Sequence, residues 1–283
     1  MGIIQSSRLK RSSFDREGGS YVMGRMNPPI ADTYYEAAMD LPCGASKALT
    51  YMLATIPRSG STYCAVKFWR SGILGSPMEY LNFRASGRLL NRLGYDENID
   101  GDRLLSYWDQ VQRLRTTANG VFGFKMFTPN YVDIAKRSPL LLNRLTPNYV
   151  VYLTRKDALG QAISYSRAIR SKVWFADVSD TPSVCYDKGH ITWCLSLIES
   201  QKMAWEKVFA LTKVTPIRIL YEDLLDSRLD VVFQVAQRMG LKMDWGKEIA
   251  VPMISRQSDE VSDEWRRRFI SETGCDDARV TQP

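Results

Sequence analysis

The chain reads as an α/β protein, a mostly parallel β-sheet flanked by helices, because apolar β-prone runs alternate with helical ones. Leu49-Thr50-Tyr51-Met52-Leu53-Ala54-Thr55-Ile56 is bounded by Pro57 and suits a buried strand, with a helix expected from Ser61 to Arg70. Tyr149-Val150-Val151-Tyr152-Leu153 is a second buried strand, followed by a helix over Ala158 to Arg170. Ile217-Arg218-Ile219-Leu220 is a third, followed by a helix from Arg228 to Met239 with Gly240 as its C-cap. Between these, Leu104, Leu105, Trp108, Val111 and Leu114 share one face of a helix over 102–116. Val121 to Met126 is a short strand, and Gly189 to Leu211 a long helix. Residues 1–46, rich in Ser, Gly, Arg and Asp with little apolar periodicity, read as a mobile or loosely docked extension to one domain over 47–283.

Bulk composition narrows the class. Apolar residues at 45% and charged residues at 24% are ordinary for a soluble globular protein. No run of about 18 apolar residues predicts a membrane span, and the opening segment does not read as a secretory signal. Met1-Gly2-Ile3-Ile4-Gln5-Ser6 fits the short acylation pattern Met-Gly-x-x-x-Ser/Thr, with Arg8, Lys10 and Arg11 close by. Five scattered cysteines without a Cys-x-x-Cys pair suggest neither a disulfide framework nor a zinc site, and point to a reducing cytoplasm. A catalytic triad or multi-histidine metal site would have to be built around the single histidine, His190, which falls in a helical stretch. The net charge of +7 fits nucleic acid, an anionic surface or a polyanionic small molecule. Without a block of five or six consecutive basic residues, nucleic acid is not the expected partner.

The most informative stretch is Ile56-Pro57-Arg58-Ser59-Gly60-Ser61-Thr62, between the first strand and the first helix. A turn of this kind aims backbone N–H groups and a helix dipole at one spot, which favours an anion. Gly60 allows close approach of a ligand, Ser59, Ser61 and Thr62 offer hydroxyls, and Arg58 supplies a permanent cation. The same residues also serve as an ordinary helix cap. The NTPase form of the loop, G-x-x-x-x-G-K-[ST], is absent, so no Mg²⁺ or other metal is expected and an ATP-dependent P-loop kinase is the weaker reading.

Pro57 to Thr62 resembles the 5′-phosphosulfate loop of sulfotransferases that use 3′-phosphoadenosine 5′-phosphosulfate (PAPS), which implies their P-loop-like fold. Leu153-Thr154-Arg155-Lys156-Asp157 and Gln161-Ala162-Ile163-Ser164 are similar to the element in which an Arg at a strand end and a Ser on the next helix hold the 3′-phosphate. The nine-residue spacing of Arg155 and Ser164, with Trp174 soon after, resembles the bacterial branch typified by trehalose 2-sulfotransferase. Nodulation-factor and lipopolysaccharide sulfotransferases lie near that branch. Gly75 to Tyr80, Asn119 to Met126, Ser255 to Ser258 running into Ser262 to Trp265, and Tyr221-Glu222-Asp223-Leu224 look like the same family, in family order. Tyr63-Cys64 departs from the two aliphatic residues usual there.

The resemblance implies a carbohydrate or glycolipid acceptor, a homodimer and a set of roles. Arg58, Ser59, Gly60, Ser61 and Thr62 would hold the 5′ end of PAPS, and Arg155 and Ser164 the 3′-phosphate, with Arg256 added from a loop closing over the nucleotide. Lys125 lies where the family places a lysine near the transferred group. The histidine base common in sulfotransferases would stand at Phe127, which closes that route. Glu79 matches the carboxylate proposed as base in the trehalose branch, provided burial raises its pKa. Trp174 would stack near adenine or line the acceptor groove, and Arg266-Arg267-Arg268 reads as a solvated helix face. A nucleotide- or phosphosugar-binding regulator without catalysis is the competing class, against which Glu79 together with Lys125 argues. Segment 82–101 carries no readable acceptor code.

Overall fold

A computed structural model describes residues 33–41, 49–174, 183–226, 230–242, 248–254 and 259–274. Strand β1 (Leu49–Thr55) leads through a tight turn into α1 (Ser61–Arg70). Two helices follow, α2 (Gly87–Arg92) and α3 (Gly101–Arg115), before β2 (Val121–Phe127). Helices α4 (Thr128–Arg137) and α5 (Pro139–Arg144) lead to β3 (Tyr149–Thr154), then α6 (Ala158–Ser171) and α7 (Lys188–Thr212). Strand β4 (Ile217–Leu220), α8 (Tyr221–Leu225), α9 (Val231–Arg238) and α10 (Glu260–Thr273) complete the order.

The four strands form one parallel sheet in the order β2-β1-β3-β4. Strand β1 pairs with β2 from Leu49↔Val121 to Thr55↔Phe127 and with β3 from Tyr51↔Tyr149 to Thr55↔Leu153. All of β2 and most of β1 and β3 are buried, as strands covered on both faces must be, and this is why they read as unbroken apolar runs. The chain leaves β1 for one side of the sheet and then crosses to the other. Its direction therefore reverses between β1 and β3, where α/β sheets open a crevice at the carboxyl ends of their strands. No helix among the described residues is long and apolar enough to cross a membrane.

The edge strand β2 is not left open. Gly75, at φ +69°, lets its loop approach until a side chain there would meet the Gly123 nitrogen at 2.9 Å. The Lys125 N–H then donates to the Met78 carbonyl at 2.9 Å, which covers part of the edge and fixes Glu79 beside the strand. Cys64, the departure from an aliphatic residue, is fully buried and packs as a small apolar group, its thiol pushed up by burial.

Two expectations need correction. Within the stretch before residue 47, residues 33–41 are not loosely attached: Tyr34, Tyr35 and Leu41 are buried in the main core, and Leu41 N–H bonds to the Leu114 carbonyl. Residues 1–32, with the acylation pattern, lie outside the described residues. In the Arg266–Arg268 run, Arg266 is not a solvated residue. It turns inward to Asp157, while Arg268 pairs with Glu272 at 2.8 Å across Tyr186.

Candidate active site at the crevice between β1 and β3

The turn after β1 takes two left-handed residues, Arg58 at φ +65° and Gly60 at φ +78°. Gly60 is required twice over, because a Cβ there would sit 2.1 Å from the Tyr221 ring. Ser59 turns inward, its hydroxyl 2.7 Å from that of Thr55, so its side chain braces the turn and does not face the crevice. Ser61 and Thr62 open α1, whose first N–H groups have no intrahelical acceptor and point toward the crevice mouth. The Gln161 amide donates to the Pro57 carbonyl at 2.8 Å, tying the turn to α6.

Arg58 links the two loops. Its Nε donates to Ser164 Oγ at 2.9 Å and its Nη1 to the Trp174 carbonyl at 2.6 Å. Arg155, just past β3, lies over the Tyr221 ring at 5.2 Å and donates to Asp157 at 3.0 Å. Its Nε is buried with no hydrogen-bond partner among the described residues. Arg167, one helical turn beyond Ser164, pairs with Asp259 through both terminal nitrogens, at 2.5 and 2.8 Å. Burial, then the charges of Arg155 and Arg167, lower the Arg58 pKa to about 10. Among the described residues Arg58 faces no carboxylate within ion-pair distance. Three guanidinium groups in one partly desolvated region raise the local positive potential.

Asp157 holds the geometry. As the cap of α6 it accepts the Gly160 N–H at 2.8 Å and bridges Arg155 to Arg266 of α10. Burial pushes its carboxyl up, but Arg266, the Gly160 N–H and Arg155 together carry it below its usual range. Glu222, at the start of α8, accepts the N–H groups of Lys156 and Asp157 at 3.1 and 3.3 Å. The Tyr221-Glu222 pair thus has a physical reason: the ring packs over Gly60 and the carboxylate fixes the loop after β3.

A second cluster lies on the β2 side. Lys125 Nζ is 2.7 Å from Glu79 Oε1 and donates to Thr62 Oγ1 at 3.1 Å. Asn82 donates to Glu79 Oε2 at 2.8 Å. Both charged residues are largely buried, Lys125 at 2% and Glu79 at 9% exposure, so the pair sits in a setting where its Coulomb energy is strong. Thr62 connects this acid–cation pair to the turn after β1. The arrangement sets a buried carboxylate and a lysine side by side, next to the first turn of α1.

The structure brings Arg58, Gly60, Ser61, Thr62, Lys125, Glu79, Arg155 and Ser164 to the same end of the sheet, while Arg256 lies outside the described residues. Trp174 packs edge-on against Tyr165 at 6.0 Å. His190 bonds Ser166 Oγ at 2.9 Å on the α6–α7 contact. Sequence reasoning missed Arg167, Asp157, Arg266 and Asn82. Arg167 could have been found, since it lies three residues from Ser164 and so on the same helix face.

Comparison with known proteins gives the following. The sequence model of the Stf0 sulphotransferase family matches residues 50–272. The trehalose 2-sulfotransferase of Mycolicibacterium smegmatis is 26% identical over 253 residues, covering 77% of this chain and 93% of that protein. The enzyme of the same name from Mycobacterium tuberculosis is 25% identical over 255 residues, covering 78% and 94%. The crystal structure of a sulfotransferase from Alicyclobacillus acidocaldarius superimposes with a TM-score of 0.41 at 14% identity, covering 85% of this chain and 97% of the other.

Proposed function

The chain belongs to the Stf0 sulphotransferase family, and from that premise we propose that it transfers the sulfuryl group of PAPS to a carbohydrate hydroxyl, with trehalose the first acceptor to test. The observation that carries the reading is the Arg58–Ser164 bond, which joins the turn after β1 to the helix after β3 and makes one pocket of two anion-binding elements. In this reading the turn 58–62 and the N-terminus of α1 hold the phosphosulfate end. Arg155 and Ser164 hold the 3′-phosphate, with Arg167 behind them, and the buried Arg155 Nε is the donor that the phosphate would satisfy.

Glu79 takes the proton from the acceptor hydroxyl as the new O–S bond forms. The S–O bond to the 5′-phosphate breaks, and the negative charge moves onto that phosphate, which leaves as part of 3′-phosphoadenosine 5′-phosphate. Arg58, the α1 N–H groups and Lys125 stabilise this developing charge. The contacts of Lys125 with both Glu79 and Thr62 support this role.

A trehalose-like acceptor is supported by the two relatives of that name, each covered over more than nine-tenths of its length. A glycolipid or lipopolysaccharide sugar and a homodimeric assembly belong to the same proposal. So does a cytoplasmic location, with which the free thiols of Cys64, Cys185 and Cys194 agree. The deciding experiment incubates the enzyme with PAPS and either trehalose or a glycan extract and measures sulfated products by mass spectrometry. A sugar gaining one sulfuryl group is the expected result. Consumption of ATP with no use of PAPS would overturn the reading.

A further inference from the structure

Residues 33–41 precede the segment matched by the family, which begins at residue 50, yet they reach the chemical end of the molecule. Arg115, fully buried at the end of α3, is their anchor. Its Nη1 donates to the carbonyls of Tyr34 and Met39 at 3.2 and 2.9 Å, and its Nη2 lies 3.1 Å from Asp40. Asp40 is also held by both terminal nitrogens of Arg92 at 2.7 Å, and Glu36 by Arg88 at 2.6 Å. Tyr34 packs near Trp69 at 6.2 Å and donates to the Pro252 carbonyl at 2.8 Å.

Between these fixed points stands Tyr35, 2% exposed, its ring edge-on to Tyr80 at 6.4 Å. Its phenol lies against the Glu79 backbone, and burial first, then the Glu79 charge, raise its pKa. The Glu79 side chain is gripped by Lys125 and Asn82, and its main chain meets the buried phenol. A buried aromatic needs no anchoring salt bridges merely to fill space, whereas a group that must hold a carboxylate to a fraction of an ångström does.

We infer that residues 33–41 are a strap that orients the proton acceptor, with Tyr35 as a positioning residue for Glu79. This rests on Glu79 being the base, as proposed above. The strap fixes the main chain from which the carboxylate reaches the acceptor hydroxyl, while the donor pocket across Thr62 is built without it.

The test is a double-mutant cycle of Tyr35→Phe and Glu79→Gln on the full chain. Turnover of radiolabelled PAPS with trehalose, or with the sugar that the glycan assay marks, is measured alongside calorimetry with 3′-phosphoadenosine 5′-phosphate. Tyr35→Phe keeps the ring and removes the hydroxyl. Its kcat is expected to fall about 10-fold, with nucleotide affinity unchanged and no further loss when it is added to Glu79→Gln. An unchanged kcat, or an equal fall in the Glu79→Gln background, overturns the strap and leaves Glu79 as base. A Glu79→Gln enzyme of normal kcat overturns the base and the strap together. If Tyr35→Phe does not fold, Arg92→Gln decides. It loosens Asp40 from the surface side and should lower kcat only when Glu79 is present; a parental kcat overturns the inference.

Discussion

Arg58 stands in a left-handed conformation that costs a non-glycine residue about 1 kcal/mol or more, beside two other guanidinium groups. An anion would offset the like-charge cost, while the backbone cost is met in the empty fold by the bonds from Arg58 to Ser164 and Trp174. Arg155 tests this pocket most sharply. A charge-assisted bond to phosphate contributes about 1.5–3 kcal/mol, so Arg155→Ala should weaken 3′-phosphoadenosine 5′-phosphate about 10- to 150-fold. AMP, without the 3′-phosphate, should lose much less, and calorimetry with both nucleotides reads the difference. Equal losses would make Arg155 a support of the turn, through its bond to the Arg58 carbonyl. For Glu79→Gln, loss of the base should lower kcat about 10²–10⁴-fold, with nucleotide affinity held. A kcat within a few-fold of the parent would leave Glu79 as the structural partner of Lys125. Arg58 stood out because it follows a buried strand in a Ser-Gly-Ser turn, whereas Arg155 and Ser164 were singled out by their resemblance to the sulfotransferase element, and the structure brings the three together. Asp157 and Arg266 were not, since their meeting depends on how α10, more than 100 residues later, docks on α6.

At the scale of elements, the turn after β1 and the start of α8 are one unit, since Tyr221 occupies the volume a side chain at residue 60 would need. Gly60→Ala should therefore lower both stability and nucleotide binding. Adding Tyr221→Ala should recover part of the stability, leaving the strain of φ +78°, about 1 kcal/mol or more. Thermal melts of the two single variants and the double variant check this, and strictly additive losses would refute the clash. The docking of α10 depends on carboxylates. The Arg167 hydrogen bonds draw Asp259 down to about 2, and Asp157 is lowered as well. Both folded pKa values lie below the unfolded ones, so their stabilisation is complete above about pH 4 and declines as pH falls, for Asp259 through about 2. Fluorescence of Trp265, buried on this helix, should report undocking of α10 in that window, and Asp259→Asn should shrink the pH response. The strands and long helices showed in the sequence because burial on two faces, or on one helical stripe over several turns, leaves a strong pattern. Helices α2, α5 and α8, of six, six and five residues, are too short to repeat one, and tertiary packing forms them.

Over the whole molecule, the net charge of +7 fits an anionic partner without placing it, and the topology offers one place to look. The strand order reverses between β1 and β3, and the loops leaving those two strands carry Arg58 and Arg155. Residues 33–41 were hidden for the opposite reason: Tyr34, Tyr35 and Leu41 are single anchors without periodicity, held by separate contacts to Arg115, Tyr80 and Leu114. The same whole-molecule view leads to a prediction about metal. A P-loop NTPase keeps carboxylate and hydroxyl ligands near its nucleotide to share a Mg²⁺ ion. Among the described residues, three acidic groups near the crevice already have partners. Glu79 is held by Lys125 and Asn82, Asp157 by Arg155, Arg266 and the Gly160 N–H, and Glu222 by two backbone N–H groups. Recruiting any of them to a cation would break a charge-assisted bond, and in the case of Glu79 would leave a buried lysine unpaired, which costs about 3–5 kcal/mol. The charge that builds on the departing phosphate can instead be met by Arg58, Lys125 and the α1 N–H groups, which are fixed before the reaction. Sulfuryl transfer should therefore run at its full rate in excess EDTA and gain nothing from added Mg²⁺. A rate lost to EDTA and restored by Mg²⁺ would show that at least one of these carboxylates changes partner when the nucleotide binds.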